Sequence, residues 1–133
     1  EAPDPRAEAE RYESELLREL GRPPRLDLVL LGLGTDGHTA SLFPGTSALD
    51  DPRLVTVGLA PTPPHSRLTA TFALLTEARA VVFLVAGPEK AEPLRQAFGE
   101  GPSPAPAHRA YPRAGSLLWL VEPSARPKTR PVR

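Results

Sequence analysis

Leu26-Asp27-Leu28-Val29-Leu30-Leu31-Gly32-Leu33-Gly34-Thr35-Asp36-Gly37-His38-Thr39-Ala40-Ser41-Leu42-Phe43-Pro44-Gly45 is the stretch on which the rest of the chain is organised. The run Leu28 to Leu31 has the length of a strand and no polar interruption. A parallel strand buried on both faces reads that way, and ligands of open α/β sheets collect at its carboxyl end. Glycines at Gly32, Gly34 and Gly37 let the following backbone approach a ligand closely. The stretch therefore carries Asp36 and His38 to the position where an α/β protein places its chemistry.

Outward from this stretch, the pattern alternates strands with helices and turns, which specifies an α/β fold with a mostly parallel sheet flanked by helices. Asp4-Pro5 reads as an N-cap followed by a proline opening a helix. Ala9, Tyr12, Leu16, Leu17 and Leu20 recur at helical spacing until Gly21 stops them. Thr39 to Phe43 is expected to make about one helical turn before Pro44-Gly45. Gly45 to Arg53 reads as loop, Leu54 to Val57 as a strand, and the proline-rich Ala60 to Ser66 as another loop. Arg67 to Leu74 alternates as a single strand would, and Thr76 to Arg79 as a capped turn. Val81 to Ala86 reads as a second buried strand. Gly87-Pro88 opens a helix running to about Phe98, with Pro93 early enough to be tolerated. Gly99 to Ala114 is irregular, Ser116 to Val121 a last strand, and Arg126 to Arg133 a disordered tail.

Composition narrows the function classes. A net charge of +0 offers no bulk attraction for nucleic acid or an anionic membrane. Cys 0 excludes a disulfide framework and a thiolate metal site. No apolar run approaches the roughly 18 residues of a membrane span, so a cytoplasmic setting is expected. Met 0 in a chain opening Glu1-Ala2-Pro3 reads as a piece of a longer product.

Gly32 to Gly37 fits the dinucleotide pattern G-x-G-x-x-G, but that unit needs a full helix next and a second strand ending in an acid. Here Pro44-Gly45 interrupts, and Asp50-Asp51 precede the next strand. Nicotinamide binding is rejected. Asp36-Gly37 is common turn chemistry, yet a carboxylate two positions from a histidine also suits general-base work on water. From pattern alone both readings stand.

The run Gly32 to Gly45 resembles the signature of the 6-phosphogluconolactonases, which share a superfamily with glucosamine-6-phosphate deaminases. Pro63-Pro64-His65-Ser66-Arg67-Leu68-Thr69 is similar to that family's proline-rich run into Arg-(Leu/Ile/Val)-Thr. Val85-Ala86-Gly87-Pro88-Glu89-Lys90-Ala91 is similar to its Gly-x-x-Lys-Ala, and Trp119 falls where its last strand carries tryptophan. The resemblance runs from about Asp4 to Ala125 and implies a Rossmann-like half-fold. It implies hydrolysis of 6-phospho-D-glucono-1,5-lactone, with His38 activating water and Asp36 beside it as catalytic residues. Gly32, Gly34, Gly37, Thr39, Arg67 and Lys90 become the substrate-binding residues, Arg67 and Lys90 on the phosphate. Arginine offers forked donors and lysine a point charge, both suited to phosphate. No cofactor, metal, nucleic acid or membrane is implied; the partner is the sugar-phosphate lactone. His65 and His108 match nothing catalytic and read as exposed.

Two departures accompany the resemblance. Glu122-Pro123-Ser124-Ala125 replaces an acid followed by small residues, which touches only a helix start. The family's earlier half, with a phosphate loop and an Asp-Glu-Arg motif, has no counterpart here. Residues 1–125 thus read as a C-terminal portion that needs the missing half. A deaminase of the same superfamily carries an acid a few residues after the histidine, where Ser41-Leu42-Phe43-Pro44 stands. A non-catalytic sugar-phosphate binding fragment is the alternative of a different class.

Overall fold

The computed structural model describes residues 3–101 and 104–128. In chain order the described elements are α1 (Pro5–Leu20), β1 (Val29–Leu31), β2 (Val55–Leu59), β3 (Ser66–Ala70), α2 (Phe72–Leu75), β4 (Ala80–Val85), α3 (Ala91–Ala97) and β5 (Ser116–Val121). Helix α1 starts and stops as its sequence dictates. The Asp4 carboxylate accepts the Arg6 N–H at 3.2 Å, and Gly21, at φ 80, donates its N–H to Leu17. Such a cap is worth ~1 kcal/mol.

The β1, β4 and β5 strands form a parallel sheet in the order β1-β4-β5. Val29 pairs with Val81 and Leu31 with Phe83, while Phe83 pairs with Trp119 on the other side. On one face Val29, Leu31, Val81, Phe83 and Val85 are buried against Leu94 and Ala97 of α3 and Phe72 and Leu75 of α2. Trp119 stacks on Phe83 at 3.9 Å between ring centroids and receives Phe98 edge-on at 5.1 Å. Aromatic geometry of this kind adds to the burial of the rings.

The β2 and β3 strands pair separately as an antiparallel hairpin, Val57 opposite Leu68. Helix α1 lies on this hairpin. Glu13 accepts the N–H groups of Leu54 at 3.1 Å and Val55 at 3.3 Å, and Arg6 donates to the Thr56 hydroxyl at 3.2 Å. The same hydroxyl donates to Asp51 at 2.6 Å, and Arg53 donates to both Asp51 oxygens.

Several segments depart from the sequence reading. Thr39 to Phe43 makes no helical turn: Thr39 and Leu42 form an isolated bridge, and Ala40 takes a φ of 51. Thr39 is tied to the Gly32 carbonyl and the Ser41 N–H to the Thr69 hydroxyl, while Leu42 and Phe43 are both buried. The tethers hold the segment between the sheet and the hairpin, where a helix would break them. The expected strand Arg67 to Leu74 ends at Ala70, and α2 follows. Phe72, Leu74 and Leu75 are all buried, which a period of two cannot achieve. Thr71 fixes the junction by donating to the Arg53 carbonyl. Gly45 to Arg53 and Gly99 to Ala114 are not wholly irregular, for Ser47–Asp50 and Pro106–Arg109 form 3-10 turns. Pro88–Lys90 is a 3-10 turn leading into α3, with Pro93 at its third residue. Arg126 to Lys128 has no regular structure, and the remainder of the expected tail, 129–133, lies outside the described residues.

Hydrogen bonds from the Arg53 side chain hold the Asp51 carboxyl well below the usual carboxylate range, against the opposing effect of burial and with further support from Thr56. A depressed folded value contributes stability above the unfolded pKa of about 3.9 that is lost as pH falls below it. Asp51→Asn is expected to lower stability at pH 7 by about 1–3 kcal/mol and to flatten the loss below about pH 4. Urea unfolding midpoints of both proteins across that range check it; parallel acid profiles would contradict it.

Candidate active site

Parallel pairing of β1 with β4 brings the carboxyl ends of both strands to one edge of the sheet. The first continues into Gly32-Leu33-Gly34 and the second into Gly87, at φ 100, and the turn Pro88–Lys90. Between them lies a cleft of about 420 Å³ lined by Gly32, Gly34, His38, Thr39 and Lys90 together with Leu33 and Ala40. The Lys90 ammonium donates to the Leu33 carbonyl, which fixes the lysine against the glycine loop.

The loop closes on itself through two backbone bonds, Gly34 N–H to the His38 carbonyl at 2.8 Å and Gly37 N–H to the Gly34 carbonyl at 2.9 Å. Inside that turn Asp36 Oδ1 accepts the His38 backbone N–H at 3.0 Å and lies 2.5 Å from His38 Nδ1. Partial burial is the largest influence on Asp36 and opposes its ionisation. The backbone and ring hydrogen bonds from His38, with its charge, together outweigh burial and hold the carboxyl below its ordinary value. An ionised Asp36 can only accept, so Nδ1 carries a proton, and in the neutral ring that leaves the lone pair on Nε2. A base of this form can take a proton from water.

Gly34 makes the arrangement possible. A Cβ there would lie 2.0 Å from His38 Nδ1 and 2.9 Å from Asp36 Oδ1. Gly37, at φ 83, meets a different constraint: its Cβ would stand 2.4 Å from that of Ala105, and its carbonyl accepts the Ala107 N–H. Gly32 has open space at that position and lines the cleft with its backbone. Thr39 is buried, and its hydroxyl is committed to the Gly32 carbonyl at 2.8 Å.

Of the residues singled out from sequence, Gly32, Gly34, His38, Thr39 and Lys90 meet at the cleft, with Asp36 behind His38. Gly37 anchors the loop from the side. Arg67 stands apart on β3, donating to the carbonyls of Pro64 at 3.0 Å and Thr62 at 3.3 Å. Its guanidinium lies 5.6 Å from the centre of the Phe43 ring, and that ring lies 4.4 Å from the His38 ring. Phe43 thus connects Arg67 to the histidine, a part the sequence reading did not assign it. An aromatic five positions after the histidine in the same motif was the available signal. His65 and His108 are exposed, each donating Nδ1–H to a carbonyl at 2.9 Å, of Ala60 and Ala97. Glu122 precedes the 3-10 turn Pro123–Ala125, and its carboxylate accepts the Ser124 hydroxyl. Among the described residues no three His, Asp or Glu side chains converge as metal ligands.

The family described as glucosamine-6-phosphate isomerases/6-phosphogluconolactonase matches residues 1–119. The 6-phosphogluconolactonase of Synechocystis sp. is 47% identical over 98% of this chain and 56% of its own. The solved structure of 6-phosphogluconolactonase from Trypanosoma cruzi superposes with a TM-score of 0.81 at 32% identity, over 92% of this chain and 51% of that one. A monomeric glucosamine-6-phosphate deaminase superposes with a TM-score of 0.65 at 25% identity, over 93% and 55%. This chain belongs to the glucosamine-6-phosphate isomerase/6-phosphogluconolactonase family. It spans about half the length of the relatives it matches.

Gly34→Ala is expected to displace the His38 ring and to cost about 1–3 kcal/mol, as overpacking does. Gly32→Ala, facing open space, is expected to stay within about 0.5 kcal/mol. NMR of the histidine ring protons with urea unfolding distinguishes them. Unchanged His38 resonances in Gly34→Ala would refute the role given to that glycine.

Proposed function

We propose that this chain carries the water-activating part of a 6-phosphogluconolactonase site, hydrolysing 6-phospho-D-glucono-1,5-lactone to 6-phosphogluconate. The observation that carries the reading is the 2.5 Å contact of Asp36 Oδ1 with His38 Nδ1, beside a cleft that also holds Lys90. Asp36 fixes the tautomer. His38 Nε2 takes a proton from water as its oxygen bonds to C1, and the carbonyl π pair moves to oxygen. Backbone N–H groups of the glycine loop stabilise the alkoxide. As it collapses, the bond from C1 to the ring oxygen breaks, and the ring oxygen takes the proton held by His38. Lys90 and Arg67 are assigned to the phosphate, which their charge and donor geometry suit.

The lactonase reading is favoured over a deaminase by the segment after His38. Leu42 and Phe43 are buried there, and no acid stands among Ser41, Leu42, Phe43 and Pro44. We assign the activity to this chain joined to the part of its relatives that it does not span.

The experiment is steady-state lactone hydrolysis by this chain fused after the first half of the Synechocystis relative. His38→Ala is expected to lower kcat by about 100- to 10,000-fold with little change in KM. Lys90→Ala is expected mainly to raise KM. Kinetics equal to the parent's for both variants would refute the assignment. Ammonia release from glucosamine 6-phosphate would mark a deaminase, and phosphate-ester binding without turnover a binding module.

A further inference from the structure

Consecutive residues of the histidine loop meet different surroundings. Leu42 is fully buried and joins the core packed around Phe83, whereas Phe43, only 4% exposed, is not part of that core. Its ring meets two side chains of the candidate site instead. The His38 imidazole lies 4.4 Å away between centroids, tilted by 34°, and the Arg67 guanidinium stands 5.6 Å from the ring centre. A buried phenylalanine ordinarily serves the core; this one is placed on the histidine.

The backbone that carries the ring is held on both sides. Leu42 donates its N–H to the Thr39 carbonyl at 3.0 Å, and the Phe43 carbonyl accepts the Thr46 hydroxyl at 2.7 Å. Pro44 disfavours a helical conformation at Phe43. Arg67 is itself fixed by the Thr62 and Pro64 carbonyls. The histidine needs such a neighbour. Asp36 Oδ1 lies 2.5 Å from Nδ1, but one hydrogen bond tolerates a range of angles, so it fixes the tautomer more firmly than the plane of the ring. With 30% of its side chain exposed, His38 is not locked by burial. Gly34 admits the ring but carries no side chain to hold it.

We propose that Phe43 is a positioning residue for His38: its ring holds the imidazole plane, so that Nε2 keeps one direction in the cleft. Phe43 has no proton to give or take, and it acts through the histidine alone. The kinetic part of the inference rests on His38 as the proposed base; the ring contact does not.

The test uses this chain fused after the first half of the Synechocystis relative. Phe43→Leu keeps an apolar side chain and removes the ring. It is expected to lower kcat for lactone hydrolysis by about 10- to 100-fold, with KM within about twofold of the parent's. Phe43→Tyr, which keeps the ring, is expected to retain kcat within about threefold. Phe72→Leu is the control: Phe72 is likewise buried, with the Arg109 guanidinium 4.7 Å from its ring centre, but it belongs to the core. It is expected to lower the urea midpoint as Phe43→Leu does and to leave kcat within about twofold. NMR gives a second readout. The His38 ring protons, which feel the ring current of Phe43, are expected to shift in Phe43→Leu and to stay in place in Phe72→Leu. If Phe43→Leu does not fold, Phe43→Met takes its place. Unmoved His38 resonances, a loss of kcat no larger than that of Phe72→Leu, a rise in KM alone, or an equal loss in Phe43→Tyr would overturn the proposal. A fused parent without lactone hydrolysis would count against the proposed chemistry alone, and the His38 resonances would then decide the positioning role.

Discussion

The constraint on which the rest depends is the parallel pairing of β1 with β4. Three residues of β1 are held beside β4, Val29 against Val81 through Leu31 against Phe83. Because the strands run the same way, each ends at the same edge, and each ends in a glycine turn. That coincidence lets Lys90 reach the Leu33 carbonyl, and it creates the cleft. An antiparallel arrangement would have placed the lysine and the histidine loop at opposite ends of the sheet. The buried face supports the register, since a slip of one residue would turn Val29, Leu31, Val81 and Phe83 away from α2 and α3.

Within this frame the loop from Gly32 to Phe43 is held at several independent points. Two backbone bonds close the turn, Thr39 ties it to the end of β1, Gly37 docks against Ala105, and Leu42 and Phe43 are sunk into the interior. Such restraint suits the base proposed for His38, since proton transfer requires the ring to stand in one orientation. The carboxylate of Asp36 sets the tautomer, the missing Cβ of Gly34 leaves room for the pair, and Phe43 packs on the ring. Phe43 also lies beneath Arg67, so the hairpin and the loop share an aromatic contact.

Elements governed by local chemistry were legible from residues alone. Helix α1 begins at an N-cap followed by proline and ends at a glycine, all within its own segment, and it was read correctly. So is β5, Ser116–Val121, which after its first residue is an uninterrupted apolar run from Leu117 to Val121. The failures share a cause. Thr39 to Phe43 has the composition of a short helix, but its conformation is set by bonds to Gly32 and Thr69. Phe72 to Leu75 continues an alternating pattern on paper, but the core takes Phe72, Leu74 and Leu75 together, which only a helical turn delivers. Period two and period 3.6 differ too little over four residues for the pattern to decide.

What the sequence determined by itself is the set of chemical groups and their local settings: an acid and a histidine two positions apart in a glycine turn, after a strand. Those groups lie within hydrogen-bond reach of one another because the turn is short, so spacing in sequence is nearly spacing in space. Only the tertiary structure decided what surrounds them. Lys90 lies 57 residues from the carbonyl it binds, and Ser41 lies 28 residues from Thr69. Arg67, similar in motif rank to Lys90, turned out to stand one aromatic ring away from the histidine instead of in its cleft. Distances of that kind depend on sheet register, strand direction and the packing of a hairpin, which arise from many weak contacts distributed over the whole chain.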